Sequence, residues 1–229
     1  MQTKSRLAAV AVFALAMAWV EAAVVLYLRV LVDRMQPYQA EPLPIFGGLG
    51  QAELVREAST LLMLLAVGWL AGRTLRARLA YSAVAFGVWD IAYYLFLIPL
   101  TGWPRSLLDW DILFLLPVPW WGPVIAPMAV SLLLIGGGLQ VVWSGEREGR
   151  PGFRRWTAVP ALAGMGLILY AFMAEALAHV GRGADAVRQV LPAAFGWGIF
   201  GIGFAMMAMP VLDLGRRMLS GARKGGLLR

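Results

Sequence analysis

Apolar residues run through this chain in blocks of about 20, broken by short clusters of charge, glycine and proline. A helix rising 1.5 Å per residue needs about 20 apolar residues to cross the roughly 30 Å hydrocarbon core of a bilayer. Six such blocks predict six transmembrane helices, at residues 7–31, 54–71, 80–100, 124–142, 158–180 and 190–212. A seventh apolar stretch, 107–116, is too short to cross. It is expected to form a short interfacial or re-entrant helix: Ser106 followed by Asp109 is a helix-start signal, and Pro117 disfavours helix at the residue before it. The fold class is therefore all-α, a six-helix integral membrane bundle forming one domain across 1–229. No internal repeat or low-complexity segment divides it.

Composition agrees. The 229 residues are 60% hydrophobic and 14% charged, with a mean hydropathy of +0.72. Ordinary soluble domains are about 45–50% apolar and about 25% charged. There are no cysteines, which excludes disulfides, thiolate metal sites and cysteine nucleophiles within the chain.

The net charge of +7 changes meaning once the charges are placed. With the N-terminus in the cytoplasm, the inner segments hold fourteen of the twenty basic residues: Lys4 and Arg6; Arg73, Arg76 and Arg78; Arg147, Arg150, Arg154 and Arg155; Arg216, Arg217, Arg223, Lys224 and Arg229. The outer segments hold Arg29, Arg34, Arg56, Arg105, Arg182 and Arg188. This is the positive-inside pattern, and it predicts an inner-membrane protein with both termini cytoplasmic. Residues 213–229 read as a basic tail near anionic lipid head groups, with membrane lipids as partners and no nucleic acid. The first block has the basic start of a signal peptide, and Ala16-Met17-Ala18 resembles a cleavage site. The apolar run continues for about a dozen residues past Ala18, so an uncleaved span is expected.

Small residues suggest how the spans pack. Ala194, Gly198, Gly201 and Ala205 lie at helical spacing in the sixth span, with Gly196 and Gly203 nearby. Ala161, Ala163, Gly164 and Gly166 lie in the fifth. Helices associate in lipid through such smooth faces. These two spans are expected to pack together, with contact to a second copy or another membrane subunit as the alternative.

The candidate chemistry lies in acids inside the apolar blocks. An ionised carboxylate in hydrocarbon costs at least about 2.5–3.5 kcal/mol, so such residues are usually paired or functional. Asp90 falls at the midpoint of its span, Glu21 about 3 Å outward of its own and Glu175 about 9 Å outward. His179, the one histidine, follows a turn later on the face of Glu175. These four predict a polar ladder opening to the extracytoplasmic side. Five prolines between 104 and 127 stiffen the loop above it into a candidate lid carrying Asp109, Trp110 and Asp111.

Three readings of the ladder stay open. The acids can be fixed by tryptophan or tyrosine and serve packing alone. Glu175, His179 and Asp90 can hold a divalent metal, since carboxylates with imidazole suit iron, manganese or zinc. Or the ladder is a binding or transport pocket for a cation or small polar ligand. A non-catalytic subunit or assembly factor of a larger complex is the alternative function, and a membrane metalloenzyme the third. One histidine rules out bis-histidine haem ligation within the chain, and the lack of a lysine in any span disfavours retinal. No phosphate loop, nucleophile elbow or HExxH motif occurs.

Phe86-Gly87-Val88-Trp89-Asp90-Ile91-Ala92-Tyr93-Tyr94, Gly102-Trp103-Pro104 and the block from Trp110 to Pro123 together resemble a family of small uncharacterised bacterial polytopic inner-membrane proteins. The resemblance covers about 40 residues and implies no activity. It implies only that Asp90 and the proline-rich loop belong to one block.

Overall fold

The computed structural model describes residues 3–44, 47–145 and 154–226. The charged loop 146–153 and the end of the tail, 227–229, lie outside them. The described residues form seven α-helices and one two-stranded hairpin: α1 (Thr3–Leu31), α2 (Gly47–Ala71), α3 (Leu75–Thr101), β1 (Trp110–Ile112), β2 (Trp121–Pro123), α4 (Ile125–Gly145), α5 (Arg155–His179), α6 (Ala184–Arg188) and α7 (Trp197–Gly226). All but α6 are long and apolar enough to cross a membrane, six helices in total, which fits a multi-pass membrane protein.

The helices outrun the apolar blocks at several ends. α2 begins at Gly47 rather than 54, so Glu53, Arg56 and Glu57 are helical. α7 begins at Trp197 rather than 190, because Pro192 disfavours helix before it. The tail from 213 continues α7 instead of leaving it, helped by an Asp213–Arg217 ion pair of 2.6 Å one turn apart.

α3 is the most buried span. It packs on α1, α2 and α4, while α7 joins α4 to α5. Gly87 sets the α3–α4 approach: a Cβ there would lie 2.6 Å from the Ser131 carbonyl oxygen. At the other side of the bundle, Gly164 and Gly203 let α5 and α7 touch backbone to backbone. A Cβ on either would come within 2.5–2.7 Å of the other's carbonyl oxygen. The expected pairing of the fifth and sixth spans is thus present.

The expected helix at 107–116 is not. Residues 110–112 form β1 and pair antiparallel with β2, Asp111 opposite Gly122. Local side chains explain the difference. Asp109 Oδ2 accepts from the backbone N–H groups of Arg105 (2.7 Å) and Ser106 (3.2 Å), and Ser106 Oγ accepts from Leu108 N–H. Those bonds close a turn in place of a helical start. The hairpin then enters the bundle. Phe114 packs near Trp89, midway along α3, and Trp120 stacks on Phe172 of α5. The segment is re-entrant in shape, as a hairpin. Non-helical backbone at such depth must satisfy its own polar groups or be covered by protein. The hairpin does both: Leu113 and Trp120 N–H extend the ladder at 2.8 Å each, and both carboxylate oxygens of Glu57 accept from Leu115 N–H at 3.1 and 2.9 Å.

Candidate functional site: a charged cavity under the hairpin

The hairpin, α1, α2, α3 and the 32–44 loop enclose a cavity of about 170 Å³ at the end of the bundle where α1 stops. Helical spacing puts its polar residues there. On α2, Glu53, Arg56, Glu57 and Thr60 fall at i, i+3, i+4 and i+7, one face of a helix. On α1, Glu21, Val25 and Arg29 are successive turns of one face. On α3, Trp89, Asp90, Tyr93 and Tyr94 do the same. All line the cavity, together with Asp111, Phe114 and Arg34.

The charges are distributed unevenly. Arg56 pairs with both Glu21 and Glu53, and Thr60 Oγ1 donates to Glu21 at 3.2 Å. Arg29 is buried, lies 3.7 Å from Asp111, donates to the Met35 carbonyl and sits 4.4 Å over the Trp103 ring. Arg34 is spent on the loop that follows α1, donating to the carbonyls of Pro37, Gln39, Glu41 and Pro42. Three guanidiniums therefore face five carboxylates, Glu21, Glu53, Glu57, Asp90 and Asp111, and each guanidinium is already engaged.

Asp90 is 7% exposed. Ser131 Oγ of α4 donates to it at 2.8 Å, and no cation pairs with it among the described residues. The Gly87 approach, one turn earlier on α3, brings Ser131 within reach. Asp111 ties the hairpin to two helices, since Tyr94 Oη donates to it at 3.1 Å beside the Arg29 contact. Burial pushes the Asp111 carboxyl up to about 6, against the opposing pull of Arg29, Tyr94 and the Ile112 N–H.

The ladder expected from sequence is only half assembled. Glu21 and Asp90 share the cavity. Glu175 is exposed and, like His179, does not line it. His179 Nδ1 bonds the Glu175 backbone carbonyl at 2.8 Å, not its carboxylate. Succession in depth on separate helices did not imply one site, because α5 packs on α7, away from α1 and α2. No three histidine, aspartate or glutamate side chains gather as a metal site among the described residues. That removes the geometry on which Glu175, His179 and Asp90 would share a metal. Of the lid candidates, Asp111 lines the cavity. Asp109 holds the 105–109 turn, and Trp110 stacks on Tyr38. Sequence reasoning missed Arg29, Arg56, Glu53 and Glu57. The i, i+3, i+4 spacing of Glu53, Arg56 and Glu57 and the two-turn spacing of Arg29 from Glu21 were the available signals, hidden by counting the arginines as flanking charge.

The chain matches no family model, no curated protein and no solved structure. The resemblance noted on residues 86–94 and 102–123 rests on those residues alone, and what the molecule does must be argued from its cavity.

Proposed function

We propose that this chain is a multi-pass inner-membrane protein that binds a small cation in a pocket on the extracytoplasmic side, in a binding or transport role. One observation carries the reading: five carboxylates and three guanidiniums converge on one cavity, and the guanidiniums are all engaged. An anionic ligand would find no free positive partner. A cation would find Asp90 bonded to a single hydroxyl. The orientation follows from the basic residues of the opposite end, by the positive-inside rule.

A ligand that binds the folded state alone raises its stability by mass action. Melting of the detergent-purified protein against a panel of alkali, divalent and organic cations tests the proposal. At least one should raise the melting temperature of the wild type, and the rise should vanish in Asp90→Asn. Flat melting curves across the whole panel would leave the polar cluster a packing device.

A second reading, a subunit or assembly factor of a larger complex, has its own support. Gly198, Gly201 and Ala205 of α7 are exposed, a smooth stripe of the kind that receives another helix, and Ala194 precedes that helix. Crosslinking in native membranes separates the two readings, since a subunit would crosslink through this stripe and tolerate Asp90→Asn.

A further inference from the structure

The cavity offers more than negative charge. A water molecule needs roughly 10–15 Å³ of such space, against about 170 Å³ here, so the room suits a small organic molecule. Its lining includes aromatic and aliphatic side chains as well as Asp90: Trp89, Tyr93 and Phe114 from α3 and the hairpin, Val25 and Leu28 from α1. A hard divalent ion takes six or more oxygen ligands, and no group of three acidic or histidine side chains is gathered for one among the described residues. Organic ammonium ions are recognised differently, by one carboxylate together with aromatic faces.

A second, independent observation adds a requirement. Trp89 is 5% exposed, lines the cavity, and its indole N–H has no acceptor among the described residues. A buried donor without a partner is costly. A ligand oxygen beside the cationic nitrogen would meet it, because Trp89 and Asp90 both line this cavity.

Resting on the cation-binding reading, we propose that the pocket takes a small organic ammonium ion with an oxygen acceptor close to its nitrogen, the chemistry of an amino alcohol. Asp90 receives the ammonium, the aromatic wall covers it, and Trp89 donates to the oxygen. The same chemistry exists free in solution and in the head group of an ethanolamine lipid.

Isothermal titration of the full chain in nanodiscs tests this with three probes: ethanolamine, n-propylammonium, which lacks the oxygen, and magnesium chloride. Ethanolamine should bind several-fold tighter than n-propylammonium. Asp90→Asn should weaken both at least tenfold; it keeps the Ser131 bond, and an unchanged melting temperature confirms its fold. Trp89→Phe keeps the aromatic face and should abolish only the preference for ethanolamine. Magnesium binding without either amine would overturn the ammonium assignment yet leave a cation pocket standing. Persistence of the preference in Trp89→Phe would overturn the donor role. If none of the three binds, the ammonium assignment fails, and flat melting curves with the alkali, divalent and organic panel would take the cation-binding reading with it. Discs of phosphatidylethanolamine against discs of phosphatidylglycerol then give the source: blocked ethanolamine binding in the former assigns the site to the lipid head group, and equal binding in both assigns it to the free amine.

Discussion

Two parts of this bundle are held together by opposite means. α5 and α7 meet through Gly164 and Gly203 with almost no polar contact, and Phe172 and Phe200 pack edge to face above them at 5.9 Å. α1, α2 and α3 surround a cavity of charges, and a hairpin is pinned among them by Glu57 and Asp111. In lipid the first arrangement is the ordinary one, because apolar side chains gain little from leaving the hydrocarbon and close packing drives association. The second is expensive, since each charge must be paired or hydrogen-bonded. The difference teaches where function is to be sought: the glycine seam explains itself as packing, whereas the charged cavity holds more acid than its guanidiniums neutralise.

The largest expected effect breaks the polar part alone. Arg56→Met leaves Glu21 and Glu53 without their cation. Removing one partner of a buried pair typically costs about 3–5 kcal/mol. Melting in detergent should show a loss of that order. Adding Glu21→Gln and Glu53→Gln to Arg56→Met should restore much of it, since no uncompensated charge then remains. A triple variant as unstable as the single one would show that Arg56 acts through packing instead.

An intermediate effect sharpens the comparison from the other side. Gly203→Ala places a methyl group 2.7 Å from the Gly164 carbonyl oxygen. Overpacking of this kind costs typically about 1–3 kcal/mol. Melting temperature should fall while cation binding at the Asp90 cavity is unchanged. A loss of binding would mean that the α5–α7 seam and the cavity are coupled through α4.

How much of this could be read in the sequence follows the same division. The pairing of the fifth and sixth spans was legible from their small residues, but its face was not: Ala194, Gly198, Gly201 and Ala205 are exposed, and Gly164 and Gly203 make the contact. The six spans were legible because hydropathy is a property of each segment alone. Asp90 and Glu21 stood out by their depth. Their company did not. Glu175 is exposed on α5, and position along a span carries no information about which helices are neighbours. Arg29 and Arg56 were hidden because a charge near a span end is ordinary. Pairing across helices decided otherwise. The 107–116 segment failed for a local reason, since Asp109 and Ser106 can start a helix or close a turn with the same atoms. The pairing of β1 with a strand nine residues further on settled it.

The smallest expected effect concerns the pin between hairpin and helices. Burial pushes the Asp111 carboxyl up to about 6 in the folded protein, against an ordinary value of about 3.9 for an aspartate in an unfolded chain. The raised value means that the folded state holds its proton over a range where the unfolded state has already lost it. The stability contributed by that proton is fully present below about pH 4 and is lost as pH rises through 6. Between pH 5 and pH 7 the loss is about 1 kcal/mol by linkage. Asp90, Arg29, Tyr93 and Tyr94 are charged and titratable groups near Asp111, and the Arg29 contact at 3.7 Å is too long to offset burial fully. Asp111→Asn keeps the shape and can still accept from Tyr94. Its melting temperature should therefore vary less between pH 5 and 7 than that of the wild type, the gap between the two profiles opening with rising pH, because the neutral amide resembles the protonated carboxyl. Parallel profiles would show that the Arg29 contact already compensates the buried carboxylate, and the hairpin would then be pinned by charge as firmly as α1 is pinned to α2 through Arg56.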